Sequence, residues 1–255
     1  MQKTSLKHLE MNGCTDGWGG NVQGFSHMRS PLANLTSLGL ARNSIDESTA
    51  ALLMRQISTL SALQYLDMSG NRLHVAGATA LAACLSRLTE LTFLNISDNE
   101  ICAAGASALG LRLPALAHLC ALNVAANDLR TEGLGHLLTP IIQLPSLAHL
   151  ELGRNCIEDG GGHMLAMHLS SLASLTRLGL GGSWGSVWHS WATTVGRHLT
   201  ALTSLLSLSL RCNGFQATHM AVLAPQLAHV TTLNCLDISQ NDMQVCAHTI
   251  SVHVL

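Results

Sequence analysis

The sequence is poor in charged side chains and in aromatic rings. Only 11% of its 255 residues are charged and 3% are aromatic, whereas an ordinary soluble domain has about 25% charged residues. Hydrophobic residues make up 47% of the chain, which excludes a disordered protein. A chain of this length can also bury a core without the help of a metal or a disulfide.

The chain also lacks the features of several binding classes. It has 13 lysines and arginines against 15 aspartates and glutamates and no basic run, so no nucleic acid is expected as a partner. Polar residues interrupt every apolar stretch before the roughly 20 residues that span a bilayer, so no membrane partner is expected. Residues 1–10 lack the apolar segment of a secretory signal. These features predict a cytoplasmic protein whose eight cysteines are thiols.

Motifs for metal binding and catalysis are weak. The 14 histidines and eight cysteines form no C-x-x-C, H-x-x-x-H or H-E-x-x-H pattern, so neither a metal nor another cofactor is predicted. Gly181–Gly185 matches the G-x-S-x-G pattern of hydrolase nucleophiles. Ser183 has no evident acid to complete a triad, however, and we expect no enzymatic activity.

The sequence is built on a repeat of about 28 residues, a period typical of solenoids. The repeats start at Leu32, Leu60, Leu88, Leu116, Leu144, Leu172, Leu202 and Val230, and only the step from Leu172 to Leu202 is longer than the others, by two residues. Eleven residues into each repeat lies an asparagine, except for Ser183 in the sixth: Asn43, Asn71, Asn99, Asn127, Asn155, Asn213 and Asn241. A degraded earlier repeat has Cys14 at this position.

Two periods alternate within each repeat. Apolar and polar residues alternate over residues 93–96, which predicts a short strand with one buried face. Leucines at spacings of four and three over residues 77–88 predict one stripe of a helix. Pro140 and Pro225 lie in two of the helical halves and predict kinked or shortened helices.

Stacked repeats give a parallel sheet with helices outside it. Strands pack about 4.8 Å apart and helices about 8 to 10 Å apart, so the array bends into a horseshoe with the sheet inside. The asparagine column is predicted to form a ladder that satisfies the backbone where the chain turns. Four glycines six residues further on are expected to allow a close approach into the helix: Gly77, Gly105, Gly133 and Gly161.

These repeats resemble the leucine-rich repeat family, in the long ribonuclease-inhibitor-like subclass that also occurs in Ran GTPase-activating proteins and NOD-like receptors. The resemblance covers about residues 3–255. It implies an α/β solenoid, and we expect a single domain over 1–255, with a degraded first repeat (1–31), eight repeats (32–255) and an insertion at 183–191 in the sixth. Neither end resembles a polar capping unit, so we expect contact with another domain or copy, or a fragment of a longer array.

A partner surface is predicted on the inner sheet. The aromatic pair Tyr65 and Phe93 lies beside a polar strip, and aromatic side chains among hydrogen-bonding groups are typical of protein interfaces. The predicted contact residues on this surface are Tyr65, Asp67, Phe93, Asn95, Asn123, His149, Glu151, Arg154 and Arg177. The alternative is that these side chains only complete the surface of the sheet.

The sixth repeat is the other exception. It contains three of the four tryptophans, Trp184, Trp188 and Trp191, and two extra residues. Insertions in repeat arrays often lie on the binding face, so Trp184 and Trp188 are predicted to contact a partner. Equally, the tryptophans fill the space that the missing ladder asparagine leaves.

The predicted function is a non-catalytic scaffold that binds a protein partner on the inner sheet and the loop of the sixth repeat. The alternatives are a GTPase-activating protein resembling the Ran activator, with Arg42 or Arg154 and Asn95 or Asn123 as polar contacts, or a fragment of a NOD-like sensor. The identity of the partner does not follow from the sequence, because repeat arrays place recognition in variable side chains on a common frame.

Overall fold

A computed structural model describes residues 6–14, 32–182 and 188–243, the last range with backbone only at 188–193. In the repeats that contain β2 to β8, one three-residue strand precedes one helix. The nine strands are β1 His8–Glu10, β2 Ser37–Gly39, β3 Tyr65–Asp67, β4 Phe93–Asn95, β5 Ala121–Asn123, β6 His149–Glu151, β7 Arg177–Gly179, β8 Ser207–Ser209 and β9 Cys235–Asp237.

Seven α-helices follow strands β2 to β8 within the described residues. They are α1 Glu47–Ile57, α2 His74–Leu85, α3 Cys102–Gly110, α4 Arg130–Ile141, α5 Asp159–His168, α6 Trp188–Leu199 and α7 Ala217–Leu227. Short 3₁₀ turns at Leu113–Ala115 and Leu169–Leu172 come after α3 and α5. The alternation of strand and helix is the one that the two hydrophobic periods predict.

The strands form one parallel sheet in the order of the sequence, from β1 to β9. Equivalent residues pair across neighbouring strands, as Leu66 does with Leu94 and Leu94 with Leu122. The register therefore advances by one whole repeat at each step, and the longer sixth repeat keeps it, since Arg177 pairs with Ser207. This architecture confirms the predicted α/β solenoid.

A continuous hydrophobic core lies between the sheet and the helices. The central residue of each strand from β2 to β8 points into it, and these seven leucines are at most 2% exposed. The helical stripes meet them from the other side at Leu53, Ile57, Leu81, Leu85, Leu109, Leu113, Leu137, Ile141, Leu165, Leu169, Leu223 and Leu227. The core is therefore made mainly of leucine, without a large aromatic contribution.

The asparagine column forms the predicted ladder. The Asn127 side chain donates to the carbonyls of Ile96 and Val124 at 2.9 and 3.0 Å. Its oxygen accepts a 3.0 Å hydrogen bond from the backbone N–H of Asn99. From Asn71 onward each ladder asparagine thus bridges the turn of its own repeat and the turn of the preceding one. At the start of the ladder, the N–H of Cys14 donates to the oxygen of Asn43 at 2.7 Å.

The residue before each ladder position has a left-handed backbone. Its φ angle lies between +55° and +71° at Gly13, Arg42, Gly70, Asp98, Ala126, Arg154, Gly182, Cys212 and Gln240. For a residue other than glycine this conformation costs about 1 to 2 kcal/mol. Hydrogen bonds between repeats hold it in place, as when the N–H of Arg154 donates to the carbonyl of Gly181 at 2.8 Å.

Glycines at the start of the helices allow neighbouring repeats to approach closely. A Cβ atom at Gly105 would lie 2.9 Å from the Cβ of Ala78, and one at Gly133 would lie 3.0 Å from the Cα of Ala103. Both distances are too short for carbon atoms. These contacts confirm the predicted role of the glycine column.

The prediction that the two proline-containing helices are shortened was wrong. Helix α4 has 12 residues and α7 has 11, as many as the other helices. Both prolines lie in the last turn, so the hydrogen bond that each removes is at the end of its helix and the preceding turns are unaffected. The preceding helix comes close at this point, since a Cβ atom at Gly110 would lie 2.4 Å from the carbonyl oxygen of His136.

Candidate functional site

The face of the sheet opposite the helices, here called the open face, carries two rows of side chains. Row A comes from the first residue of each strand: His8, Ser37, Tyr65, Phe93, Ala121, His149, Arg177, Ser207 and Cys235. Row B comes from the third residue: Glu10, Gly39, Asp67, Asn95, Asn123, Glu151, Gly179, Ser209 and Asp237. The strand register aligns the members of each row side by side, as the sequence predicts.

Tyr65 and Phe93 form a stacked aromatic pair in row A. Their ring centroids are 4.3 Å apart and their planes differ by 7°. The pairing of β3 with β4 fixes this contact, because Tyr65 and Phe93 are register partners. Both residues are half-buried, so the pair offers part of its apolar surface to solvent.

Two carboxylates act on the Tyr65 member of this pair. Burial raises the pKa of the Tyr65 hydroxyl, and the charges of Asp67 and Glu10 raise it further. Asp67 is the third residue of the strand that Tyr65 begins, and Glu10 belongs to row B two strands away. The aromatic pair is thus neutral, rigid and bordered by negative charge.

The polar side chains of row B already accept hydrogen bonds from the nearby backbone. The side-chain oxygens of Asp67, Asn95 and Asn123 accept hydrogen bonds from the N–H two residues later, at 2.9, 3.1 and 3.0 Å. These side chains therefore close the end of each strand. Their second polar atom remains available to a partner, since a carboxylate or amide has more than one hydrogen-bonding site.

A second group of polar side chains lies on β6 and β7. Burial lowers the pKa of His149, and the positive charge of Arg177 lowers it further. Burial raises the pKa of Glu151, and Arg177 acts in the opposite direction. His149 and Arg177 are register partners, so they meet side by side in row A.

A cleft of about 550 Å³ opens beside this group, at the ends of β5 to β9. Glu151, Arg154, Arg211 and Gln240 contribute charged and polar side chains to its wall. Its remaining lining consists of small residues, Ala125, Gly153, Gly181, Gly182, Ser209 and Cys212. The cleft exists because glycine replaces larger residues at several positions of the fifth and sixth repeats.

Two glycines of the sixth repeat let charged side chains of the fifth repeat cross onto it. A Cβ atom at Gly179 would overlap the Glu151 carboxylate, which therefore lies over this glycine. A Cβ at Gly182 would lie 3.0 Å from Cγ of Arg154, so the Arg154 side chain crosses Gly182 in the same way. Glu151 and Arg154 thus extend from the fifth repeat onto the sixth.

The structure brings the predicted contact residues together in part. Tyr65, Asp67, Phe93, Asn95 and Asn123 lie on adjacent strands β3 to β5, and His149, Glu151 and Arg177 continue the surface on β6 and β7. Arg154 follows β6 and lines the cleft. Trp184 lies outside the described residues, and so does the side chain of Trp188, although its backbone starts α6.

Sequence reasoning missed Arg211 and Gln240. Arg211 Nε donates to the Gln240 side-chain oxygen at 3.1 Å, and the Cys212 thiol donates to the same oxygen. The signal that leads to them is the glycine cluster at 179–182, which marks where side chains of the flanking repeats come within reach.

Neither a metal centre nor a membrane span is found within 6–14, 32–182 and 188–243. Over these ranges no three histidine, cysteine, aspartate or glutamate side chains are grouped as metal ligands. Nor does any helix in the same part of the chain have the length and apolar character needed to cross a bilayer.

Comparison with known proteins agrees with this architecture. The family described as "Leucine Rich repeat" matches residues 60–82, 88–110 and 143–166. The chain contains leucine-rich repeats. The three matched segments each begin at or next to a repeat start and run into the following helix, so these leucine-rich repeats have the same phase as the repeat frame of the sequence.

A solved structure with a related fold is "Leiomodin-1 Actin-Binding Site 2 (ABS2)". It matches with a TM-score of 0.50 and 14% sequence identity, over 59% of this chain and 86% of that chain. At this level of identity the similarity concerns the fold of the leucine-rich repeats alone. A search of the curated proteins found no match.

Proposed function

We propose that this chain is a non-catalytic scaffold that binds a protein partner on its open face. The observation that carries the proposal is the stacked pair of Tyr65 and Phe93, 4.3 Å apart and half-exposed among polar groups. Buried aromatic anchors surrounded by hydrogen-bonding groups supply most of the binding energy in many protein interfaces. The parallel sheet holds the pair rigidly, so little conformational entropy is lost when a partner covers it.

The proposal also covers the subclass of the repeats, the extent of the domain and the cellular compartment of the protein. The length of the repeats and the presence of a helix in most of them support the ribonuclease-inhibitor-like subclass. The continuous sheet from β1 to β9 supports one domain over 1–255. Within the described residues seven cysteines are free thiols, which supports a reducing compartment such as the cytoplasm.

The other predicted contacts belong to the same proposed interface. Asp67, Asn95 and Asn123 flank the aromatic pair, and His149, Glu151, Arg154 and Arg177 extend the surface toward the cleft. Trp184 and Trp188 are proposed to contact the partner next to this end. Because the open face is one continuous sheet of adjacent strands, a partner can cover several repeats at once.

A crosslinking experiment tests the proposed interface. The photoreactive amino acid p-benzoylphenylalanine replaces Phe93, the chain is irradiated in a cell extract, and mass spectrometry identifies the crosslinked protein. The affinity of that purified protein is then measured by calorimetry for the parent chain and for a Tyr65→Ala/Phe93→Ala variant. We expect the variant to bind at least about 30-fold more weakly, as for the loss of an interface anchor.

A matched control removes apolar surface from the helical side. Leu111 and Met167 are 76% and 61% exposed, so a Leu111→Ala/Met167→Ala variant loses exposed apolar surface away from the open face. Its affinity is expected to equal that of the parent. Equal loss of affinity in both variants, or no loss in the aromatic variant while circular dichroism shows it folded, contradicts the proposal.

A further inference from the structure

In each repeat, the residue two positions after the row B residue has its backbone N–H at an equivalent place in the fold. In five repeats a side-chain oxygen accepts its hydrogen bond at 2.7 to 3.1 Å. The donors are Ala41, Ser69, Ser97, Ala125 and Ser239, and the acceptors are Asn12, Asp67, Asn95, Asn123 and Asp237. The fold thus places a carboxylate or amide oxygen at this position in most repeats.

Three adjacent repeats lack that oxygen. The equivalent N–H groups belong to Gly153, Gly181 and Arg211, and within the described part of the chain none has a hydrogen-bond acceptor. Row B explains this, because Gly179 has no side chain and the Glu151 carboxylate lies over Gly179 instead. Gly153 lines the cleft, so its unbonded N–H is placed where a ligand oxygen could accept its hydrogen bond.

These three residues line the same cleft as two arginines. Arg154 and Arg211 both contribute to its wall, and among the residues that the structure describes neither lies within ion-pair distance of a carboxylate. Nε of Arg211 donates a 3.1 Å hydrogen bond to the side-chain oxygen of Gln240, which holds the arginine in place. The three residues with unbonded N–H groups and the two arginines therefore line one cleft of about 550 Å³.

We propose that this cleft binds the carboxylate of an aspartate or glutamate side chain from a protein partner. Asp67 and Asp237 supply a carboxylate at equivalent positions, so the geometry of the repeat already accommodates this group. Arginine adds charge-assisted hydrogen bonds that a carboxylate accepts well. The negative charge of Glu151 in the same cleft opposes a dianionic phosphate more strongly than a carboxylate with one charge.

The inference deepens the proposed function, and it depends on that function only for the source of the carboxylate. Binding of a carboxylate to the cleft is a property of this chain alone. The test therefore starts with small peptides and turns to the crosslinked partner afterwards, so that a failure of the cleft and a failure of the open-face interface give different results.

Selective isotope labelling makes the two glycines observable by nuclear magnetic resonance. Labelling leucine carbonyls with ¹³C and glycine nitrogens with ¹⁵N selects glycines that follow a leucine, of which the chain has six: Gly39, Gly110, Gly135, Gly153, Gly179 and Gly181. Gly153 and Gly181 report on the cleft. Gly39, Gly110 and Gly135 lie in other repeats and serve as internal controls.

Three peptides based on pentaglycine, each with a capped N-terminus, serve as probes. The first carries a central aspartate and an amidated end, the second a central asparagine, and the third has no side chain but a free C-terminal carboxylate. We expect the aspartate peptide to shift the amide protons of Gly153 and Gly181 saturably and to leave the control glycines unchanged. The asparagine peptide is expected to bind at least about tenfold more weakly, because it lacks the charge.

Two substitutions of Glu151 provide a matched pair. Glu151→Asn supplies an amide oxygen two residues before Gly153, as Asn123 does for Ala125, and we expect it to abolish the shift of Gly153. Glu151→Gln keeps the longer side chain and removes its charge, so we expect the aspartate peptide to bind more tightly. An Arg154→Gln/Arg211→Gln variant is expected to weaken binding at least about tenfold.

Several outcomes would overturn the proposal. They are the absence of a saturable shift, equal binding of the aspartate and asparagine peptides, or a peptide-induced shift of Gly153 that persists in Glu151→Asn. A response to the C-terminal carboxylate alone overturns the side-chain source. If the peptide binds but Glu151→Asn leaves the affinity for the crosslinked partner unchanged, that partner does not supply the carboxylate. The Tyr65→Ala/Phe93→Ala variant tests only the open-face interface. It is expected to leave the peptide titration unchanged.

Discussion

Single residues give the open face its chemistry, because the frame itself is nearly the same in every repeat. Row A holds small residues at Ser37, Ala121 and Ser207, and the aromatic pair stands between the first two of them. The two rings come from adjacent strands. Aromatic pairs of this kind contribute about 0.5 to 1.5 kcal/mol of interaction energy in addition to that from their buried area. The distinctive part of the surface is thus the exception to the repeat.

The ionisation of Tyr65 gives a direct measure of its surroundings. It is the only tyrosine in the chain, so the near-ultraviolet absorbance change on forming tyrosinate reports on this residue alone. Burial raises the pKa of Tyr65 most, followed by Asp67 and Glu10. We expect Asp67→Asn to lower the alkaline titration midpoint, because a neutral neighbour no longer opposes the tyrosinate charge, and only in part, because burial remains.

Asp98→Asn provides the control for this titration. Asp98 is an exposed carboxylate that precedes a ladder asparagine, and it is not among the groups that shift the pKa of Tyr65. The midpoint of this variant is expected to equal that of the parent. A midpoint that rises, or that stays unchanged, in Asp67→Asn would contradict the geometry of the pair.

Residue-level reasoning from sequence predicted part of the site. The positions of Tyr65, Phe93 and Glu151 in rows A and B follow from the period of two within a strand. The unbonded N–H groups of Gly153 and Gly181 could not be predicted, because they depend on the conformation that Glu151 adopts over Gly179. Arg211 and Gln240 were missed for the same reason: their meeting depends on two side-chain conformations in different repeats.

The helices show how one element is fitted to its neighbours. Helix α5 contains three consecutive glycines, Gly160, Gly161 and Gly162. Only some of them are tightly packed: a Cβ at Gly161 would lie 2.4 Å from Cγ2 of Ile157, whereas one at Gly160 would make an ordinary contact of 3.6 Å with Thr131. A side chain is therefore excluded at Gly161 by close packing, whereas Gly160 has room for one.

Alanine at these two positions is expected to change stability in opposite directions. Gly161→Ala overpacks a buried contact and is expected to lower the free energy of unfolding by about 1 to 3 kcal/mol. Gly160→Ala is expected to raise it by up to about 1 kcal/mol, because alanine restricts the unfolded chain and favours the helix. Urea denaturation of the two variants measures both effects, and a change of the same sign in both would contradict the packing described.

The element boundaries were predicted as far as their causes are local. The period change within each repeat is a property of adjacent residues, so both strands and helices follow from it. The effect of Pro140 and Pro225 was not predictable, because it depends on where in the helix each proline lies. Pro140 and Pro225 lie next to or near the last residues of α4 and α7, and the break is absorbed there.

The whole molecule is stabilised by contacts between neighbouring repeats. The sheet pairs each strand only with the strands before and after it in sequence, and the ladder asparagines bond to neighbouring turns, as Asn127 does to its own turn and an adjacent one. Stability of such an array is close to a sum of local units and the interfaces between them. A defect in one repeat therefore affects its neighbours most.

Removal of one ladder side chain tests this arrangement. Asn127→Ala leaves several buried backbone groups without partners, and we expect the free energy of unfolding to fall by about 3 kcal/mol. Hydrogen exchange measured by mass spectrometry is expected to accelerate in β4 to β6 and to stay unchanged in β2 and β8. Asn95→Ala, which removes a hydrogen bond near solvent, serves as the control with a loss of about 1 kcal/mol.

Uniform acceleration of exchange across β2 to β8 in Asn127→Ala would contradict this prediction. It would indicate that the array unfolds as one unit rather than by repeats. A loss of stability no larger than that of Asn95→Ala would also contradict the role assigned to the buried ladder.

The constant register makes the repeat a unit of length. Residues 88–115 span one full step from Leu88 to Leu116, and the ladder bonds around this segment join residues 28 positions apart in sequence, as Asn99 and Asn127 are. A second copy of this segment inserted in tandem would keep the strand register and the 28-residue spacing of the ladder asparagines. The molecule can thus be lengthened or shortened in whole repeats, each of which would add or remove one strand's width of binding surface.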